Sequence, residues 1–146
     1  MLKQINKPTR SPKRALIIGG SIGLAVLLVV GIVVGPPWWK RHRAQRDVEE
    51  IAFALRGFLG LYGHYPEGDA AAIAAALTGK NPAGQSPDKV PAIEASSQEL
   101  SAKGEFVDPW GTPYRINVET DSPRVYSCGP NRTDEYGKGD DITSWK

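Results

Sequence analysis

Residues 15–35 form an uncharged apolar run, and this feature constrains the fold of the chain more than any other. At about 1.5 Å per residue, a helix of this length reaches roughly 30 Å, which is the thickness of the hydrocarbon layer of a bilayer. A buried core helix is the alternative, but such helices are seldom apolar on every face in a small protein. The run therefore predicts one transmembrane helix over residues 15–35.

Basic side chains flank this run on both sides. They are Lys3, Lys7, Arg10, Lys13 and Arg14 before it, and Lys40, Arg41, Arg43 and Arg46 after it. The small excess on the N-terminal side favours a cytoplasmic N-terminus under the positive-inside rule, and Trp38 and Trp39 fit an interfacial aromatic belt. Because the basic residues lie at two membrane edges rather than on a folded face, we expect contacts with membrane lipid and no binding of nucleic acid.

The apolar run is longer than the core of a secretory signal, which has about 7–15 residues, and no small-x-small site follows it, so we expect an uncleaved anchor. The predicted organisation is a basic cytoplasmic arm over residues 1–14, the membrane helix over 15–35, a juxtamembrane linker over 36–46 and a folded domain over 47–146. Pro36 and Pro37 should interrupt the helix, which predicts that a second helix begins near Arg43.

An amphipathic pattern marks that second helix. Its apolar stripe at helical spacing consists of Val48, Ile51, Ala52, Leu55, Phe58, Leu59 and Tyr62. Such a stripe packs on a sheet of the same domain or on a helix of another subunit, and the two interpretations are compatible. Gly63 should end the helix, and Asp69 is a candidate N-cap for a short alanine-rich helix that runs to Leu77.

The rest of the domain predicts loops and strands. Residues 81–104 are rich in Pro, Ser, Gly and Lys without periodicity, which indicates a long surface loop. Apolar and polar residues then alternate over 114–119, as in a half-buried strand. Turn residues over 120–123 follow, and residues 124–128 are expected to return as an antiparallel partner.

The segment after Gly129 is acidic and glycine-rich, with too few apolar side chains to become ordered by burial. Its candidate side-chain ligands for a hard cation such as calcium are Asn131, Asp134, Glu135, Asp140 and Asp141. The spacing does not match an EF-hand, and a solvated acidic run is the alternative. Cys128 is the only cysteine, so no disulfide forms within one chain.

Three segments, residues 108–114 (DPWGTPY), 126–131 (YSCGPN) and 139–145 (GDDITSW), occur in an order that resembles the major pseudopilins of type II secretion, the general secretion pathway protein G family. His64, Tyr65 and Pro66, at the end of the long helix, also resemble that family. The resemblance covers roughly residues 45–146. It implies an α+β, pilin-like fold in which a long helix packs on a small antiparallel β-sheet, with a structural calcium ion in a C-terminal loop over 127–145.

The resemblance also implies the calcium ligands. Carried over to this sequence they are the side chains of Asn131, Asp140 and Asp141, with the backbone carbonyl of Cys128. The family usually has Asp where this chain has Asn131, and Asp134 is a candidate to supply the missing charge. Such an ion would neutralise the adjacent acids and join the loop to the end of the hairpin.

The function implied by the resemblance is a non-enzymatic structural or assembly subunit of a secretion machine, anchored in the bacterial inner membrane with its domain in the periplasm. Its partners would be other pseudopilins, secretion-machine subunits or copies of itself. His42, His64 and Cys128 do not form a recognisable catalytic set. No Gly-Phe cleavage site precedes the apolar run and no acid lies within it. The alternative is therefore a membrane-tethered binding or sensor module that does not assemble into a filament.

Overall fold

The computed structural model describes residues 38–80, 84–94, 96–118 and 122–145. The chain divides into two units, Met1–Pro37 and Trp38–Lys146, and all described residues belong to the second. The basic arm and the membrane helix expected over residues 1–14 and 15–35 lie outside the described residues. Within the described ranges, no helix has the length and apolarity needed to cross a bilayer.

The first described helix, α1, spans Trp38–Tyr62. The expectation that it begins near Arg43 is wrong, because Trp38 is already helical and residues 38–46 of the expected linker belong to α1. A proline is compatible with a helix that begins immediately after it, since the first N–H groups of a helix have no acceptor within the helix. The two prolines therefore do not keep the helix away from the following residues.

The predicted apolar stripe of α1 faces the core. Val48, Ile51, Ala52, Leu55 and Phe58 are all buried, whereas Leu59 and Tyr62 at the end of the stripe are only partly buried. Ala44 and Ala54 are buried as well, which widens the packed face. The helix packs against the second and third strands of the sheet and against the short second helix.

A buried carboxylate, Asp47, lies within this apolar face and is only 1% exposed. The Tyr114 hydroxyl donates a hydrogen bond to Asp47 Oδ2 at 3.1 Å, and Arg43 Nε lies 3.6 Å from the same oxygen. Burial raises the pKa of Asp47, although the Tyr114 hydrogen bond and the Arg43 charge oppose the shift. This contact ties α1 to the DPWGTPY segment, and the periodicity of the sequence did not reveal it.

The C-terminal end of α1 and both ends of the second helix follow the predicted signals. Gly63 adopts a positive φ of 79° and its N–H donates to the Leu59 carbonyl at 2.8 Å, which is the left-handed cap that ends many helices. The second helix, α2, spans Ala70–Leu77, and the Asp69 side chain accepts from the Ala72 N–H at 2.8 Å. The predicted N-cap and the predicted end of α2 are both confirmed.

A three-stranded antiparallel sheet completes the fold, with β1 at Arg115–Asn117, β2 at Arg124–Ser127 and β3 at Ile142–Thr143 in the order β1-β2-β3. The hairpin register pairs Ile116 with Val125. The predicted α+β class, with a helix packed on a small antiparallel sheet, is confirmed. The alternation of residues did not predict β3, which has only two residues and depends on its pairing with β2.

The long connection between α2 and the sheet is irregular over its described residues, as the sequence predicted. It is held by short bridges that pair Leu100 with Phe106 and Val107 with Pro113. Ile93 and Phe106 are buried in the core, so the connection covers one side of α1 and α2 rather than extending into solvent.

Candidate metal centre

The acidic loop, defined as residues 129–141, joins β2 to β3 and is fixed at both ends by the sheet. Ser127 of β2 pairs with Ile142 of β3, so the residues that flank the loop are neighbours across the strands. Ile142 is buried in the core. The two ends of the acidic loop are therefore held together by strand pairing and apolar burial, independently of any ion.

Asp108 of the DPWG turn secures the start of the loop. It is 1% exposed, and its Oδ1 accepts from the N–H groups of Trp110 at 3.0 Å and Thr112 at 2.8 Å. Its Oδ2 accepts from the Ser127 hydroxyl at 2.5 Å, and the Ser127 oxygen in turn accepts from the Gly129 N–H at 3.0 Å. A fully hydrogen-bonded buried carboxylate thus links the DPWG turn, the end of β2 and the first residue of the acidic loop.

Gly129 allows the two ends of the loop to approach each other closely. Its φ is 66°, and a Cβ at this position would lie 2.4 Å from the backbone oxygen of Asp140. A side chain would therefore clash with the backbone, whatever its rotamer. The glycine of the YSCGPN segment brings the chain directly against the first of the two adjacent aspartates.

Three carboxylates meet inside the loop: Glu135, Asp140 and Asp141 each contribute an oxygen to a group in which all three lie within 4.8 Å of one another. Asp141 Oδ2 accepts from the N–H groups of Glu135 at 3.2 Å and Gly137 at 2.8 Å. The Asp140 N–H donates to Glu135 Oε2 at 2.9 Å. Backbone hydrogen bonds therefore orient the carboxylates toward one another, although their charges repel.

Two oxygens of this group are buried and lack a partner. Within the part of the chain that the structure describes, neither Asp140 Oδ1 nor Asp141 Oδ1 has a hydrogen-bond donor. A buried polar atom without a partner costs about 1–3 kcal/mol, and more if it carries charge. Calcium binds through about six to eight oxygens and favours carboxylates and carbonyls. The residues present therefore fit a hard divalent cation.

The structure brings together only part of the predicted ligand set. Asp140 and Asp141 lie in the carboxylate group, and Asp140 Oδ2 also accepts from the Asn131 N–H at 3.2 Å. The Asn131 side-chain oxygen accepts from the Thr133 N–H at 2.6 Å, as in an Asx turn. Cys128, whose carbonyl was the further candidate, is buried immediately before Gly129.

Asp134 belongs to a different hydrogen-bond network, which joins the acidic loop to the β1–β2 hairpin. Its Oδ2 accepts from Arg115 Nε at 3.0 Å, and its Oδ1 accepts from the Tyr126 hydroxyl at 2.9 Å and from the Tyr136 N–H at 3.1 Å. Burial opposes ionisation of Asp134, but the Tyr126 and Tyr136 hydrogen bonds and the Arg115 charge outweigh it and hold its pKa below the ordinary value. Both Asp134 oxygens therefore already have donors.

Glu135 takes the third position of the group. Composition placed Glu135 among the possible ligands, but the ligand set carried over from the resemblance did not include it. Gly139 makes room for the Glu135 carboxylate. A Cβ on Gly139 would clash with Glu135 Oε2, so a glycine four residues after the glutamate lets its side chain fold over the backbone. The middle of the acidic loop thereby supplies the third carboxylate.

Aromatic side chains support the outer side of the loop. The Trp145 ring packs edge to face on Tyr126, with 5.9 Å between centroids, and the Arg124 guanidinium lies 5.5 Å from the Trp145 ring centroid. A Cβ on Gly137 would lie 2.5 Å from Trp145 Cζ2, so that glycine makes room for the indole ring. Trp145 thus acts as a packing anchor for the outer side of the loop.

The chain matches no protein-family model and no curated protein sequence. In structure it is similar to the crystal structure of the major pseudopilin from the type 2 secretion system of enterohaemorrhagic Escherichia coli. The similarity covers 73% of this chain and 82% of that one, with 20% sequence identity and a TM-score of 0.43.

Proposed function

We propose that this chain is a non-enzymatic structural and assembly subunit of a pseudopilus-like type II secretion machine, anchored in the bacterial inner membrane with its domain in the periplasm. In this proposal a calcium ion holds the acidic loop together. The observation that carries the calcium part is the carboxylate group, in which one buried oxygen each of Asp140 and Asp141 has no hydrogen-bond partner among the described residues. The DPWGTPY, YSCGPN and GDDITSW segments support the family assignment.

The ion would be held by Glu135, Asp140 and Asp141, with backbone carbonyls of the loop completing the oxygen set. Calcium supplies positive charge that offsets the repulsion of three carboxylates and the burial of two of their oxygens. The protein supplies the rest, because strand pairing and Gly129 fix the loop ends and backbone N–H groups orient the carboxylates. The role of the ion is therefore structural.

Exposed apolar side chains on α1 support assembly with other subunits. Phe53 and Leu61 are each 68% exposed, and at a spacing of eight residues they lie on one side of the helix, with Gly57 between them. Core packing cannot account for such exposed side chains. A neighbouring subunit that packs against this side would remove both from water.

The calcium part is tested by thermal unfolding of the full-length protein in detergent, with and without the ion. Calcium at about one hundred times its dissociation constant should add about 2.7 kcal/mol to the free energy of unfolding. Asp141→Asn should abolish this gain, because an amide replaces a charged oxygen while its remaining oxygen accepts the Glu135 and Gly137 hydrogen bonds. The control Asp88→Asn, at an exposed carboxylate, should respond as the wild type does.

Without calcium, the order of stability should reverse. Asp141→Asn should then be as stable as the wild type or more stable, because it removes one charge from the crowded carboxylates. Unchanged melting after chelation, together with no heat on calcium titration, would exclude the ion.

Assembly is tested in membranes with a photo-crosslinking amino acid at Leu61 and, as a control, at Asp88. The full-length chain should give a ladder of crosslinked oligomers from position 61 and not from position 88. A persistent monomer at both positions would favour the alternative, a membrane-tethered binding or sensor module.

A further inference from the structure

A second candidate site lies where the first two turns of α1 meet β3. We name it the Trp38 groove: an open cavity of about 360 Å³ lined by Trp38, Arg41, His42, Gln45 and Ile142. The first four are spaced i, i+3, i+4 and i+7 along α1, so they share one face of the helix. Ile142 of β3 completes the lining with an apolar side chain.

The charges in this region differ in whether they have partners. Arg43 lies 3.6 Å from carboxylate oxygens of both Asp47 and Glu99, and Arg46 lies 3.4 Å from Asp47. Arg41, by contrast, has no carboxylate within 4.0 Å among the described residues. Other basic residues of α1, such as Lys40 and Arg56, also have no described carboxylate within this distance, but of these only Arg41 lines the groove.

The groove combines this charge with apolar surface. Trp38 is 60% exposed, and its ring stands edge to face with the His42 imidazole, with 5.7 Å between centroids. Gln45 donates to Glu49 at 2.7 Å and to the Thr143 carbonyl at 3.2 Å, which fixes the inner end of the groove. A ligand that fits this lining has an anionic group for Arg41 and an apolar part for Trp38 and Ile142.

Chain connectivity indicates where such a ligand comes from. Trp38 follows the predicted membrane helix, which ends at residue 35, and three residues of extended chain span at most about 11 Å. The headgroup layer of a bilayer adds roughly 5–8 Å on each side of the hydrocarbon. With the membrane anchor of the proposed function, on which this inference rests, the start of α1 lies within reach of the lipid headgroups, where Trp side chains are enriched.

We propose that the Trp38 groove binds the headgroup of an anionic phospholipid. Arg41 donates two N–H groups to the phosphate oxygens, in the bidentate geometry that a guanidinium favours, and His42 provides a further donor. The glycerol and the first methylenes lie against Trp38 and Ile142. Free phosphate has the same anionic chemistry but leaves the apolar lining in water, so the groove favours the lipid. The site is independent of the calcium proposal.

The test uses the full-length protein in zwitterionic detergent, with bound lipids counted by native mass spectrometry. Phosphatidylglycerol and phosphatidylcholine of identical chains are titrated in parallel. The wild type should bind the anionic lipid more tightly. Arg41→Gln should lower that affinity about fivefold, because one basic residue near an anionic surface contributes about 1 kcal/mol. Arg41→Lys, which keeps the charge but loses the bidentate geometry, should fall between the two.

The matched control is Arg56→Gln, another exposed arginine of α1 that lies outside the groove. It should bind the anionic lipid as the wild type does. Equal affinity for the two lipids, or equal losses in the Arg41 and Arg56 variants, would overturn the proposal. Competition by millimolar inorganic phosphate that displaces the lipid completely would also overturn it, because the site would then take free phosphate.

Discussion

One small domain contains both the acidic loop and the apolar core that lies between α1 and the sheet. Different interactions hold these two regions together. In the core, Val48, Leu55, Phe58 and Val125 exclude water from one another. In the acidic loop, backbone N–H groups hold three carboxylates close together, and two carboxylate oxygens have no donor among the described residues. The packing of the core needs no ion, whereas the hydrogen-bond donors of the loop do not offset the negative charge of its carboxylates.

This difference predicts which part of the domain responds to ions and pH. Burial of apolar surface is insensitive to calcium, whereas a carboxylate group changes with every cation or proton that it binds. The loop joins the sheet at its two ends, through Ser127 and Ile142, and a second time through Asp134, which accepts hydrogen bonds from Arg115 of β1 and Tyr126 of β2.

The largest expected effect is on the core. Phe58→Ala should lower the free energy of unfolding by about 3–5 kcal/mol, because it leaves a cavity in place of a ring that is only 1% exposed. Phe53→Ala removes the same ring from an exposed position of the same helix and should change stability by less than about 0.5 kcal/mol. Denaturant unfolding measures both. The gain from calcium should be the same in both variants, and a smaller gain in Phe58→Ala would show that core and loop are coupled.

The next effect is at the junction of the two regions. Gly129→Ala should cost about 2–4 kcal/mol, the sum of left-handed backbone strain and a clash with the Asp140 backbone. Gly84→Ala is the matched control, since its φ is 72° but a Cβ there meets nothing within 4 Å. It should cost only the strain, about 1–2 kcal/mol. Equal losses in the two variants would mean that the close approach of Gly129 to Asp140 does not matter.

A smaller effect concerns pH and the buried Asp47. Its pKa is raised by burial, so the native state holds a proton that the unfolded state releases between the ordinary pKa of 3.8 and the native one. This group therefore makes the protein less stable as pH rises through that interval. Asp47→Asn should remove the decline, while Asp88→Asn should keep it. Melting temperatures measured from pH 3.5 to 7 compare the three proteins, and identical profiles would contradict the assignment.

The smallest effect concerns Arg115 and Asp134. Their ion pair is partly exposed, with the Arg115 side chain 48% accessible, so Arg115→Gln should cost no more than about 1 kcal/mol at pH 7. The pKa of Asp134 is lowered, so its contribution is present above pH 3.8 and is lost as pH falls through the native pKa. The loss caused by Arg115→Gln should therefore shrink on acidification, whereas Arg56→Gln has little effect at any pH.

Calcium affinity is a second property to measure in the Arg115 variant. If Asp134 belonged to the metal centre, the loss of Arg115 would free it to turn toward the carboxylate group and tighten calcium binding. Isothermal titration with calcium should instead give the same affinity in Arg115→Gln and the wild type, because Tyr126 and the Tyr136 N–H still hold Asp134. A tighter affinity would return Asp134 to the ligand set.

Local signals predicted much of the fold. Asp69 caps α2 because an aspartate before an alanine-rich segment can accept a hydrogen bond from the first turn, wherever that segment packs. Residues 114–118 alternate in burial because a strand on a core has two different faces. The start of α1 at Trp38 differs from the expected start near Arg43, because a helix can begin immediately after a proline.

The candidate site was harder to predict, because its geometry depends on residues that are distant in sequence. Asp140 and Asp141 were recognised from their place in a motif, but the choice between Glu135 and Asp134 depends on which of two adjacent acids lies beside Arg115 and Tyr126. No local pattern distinguishes those two side chains. Asp47 was missed for the same reason, since its burial depends on Tyr114, 67 residues later.

Short-range signals in the sequence predict the helices, the hairpin and an acidic loop rich in oxygen ligands, because caps, periodicity and glycine act over a few residues. Which acids meet depends on contacts between residues that are distant along the chain. Pairing of Ser127 with Ile142 and the contact of Gly129 with Asp140 bring Glu135, Asp140 and Asp141 together, while Arg115 and Tyr126 hold Asp134 apart. Electrostatic energy depends on distance in space, and those distances are set by strand pairing rather than by position along the chain.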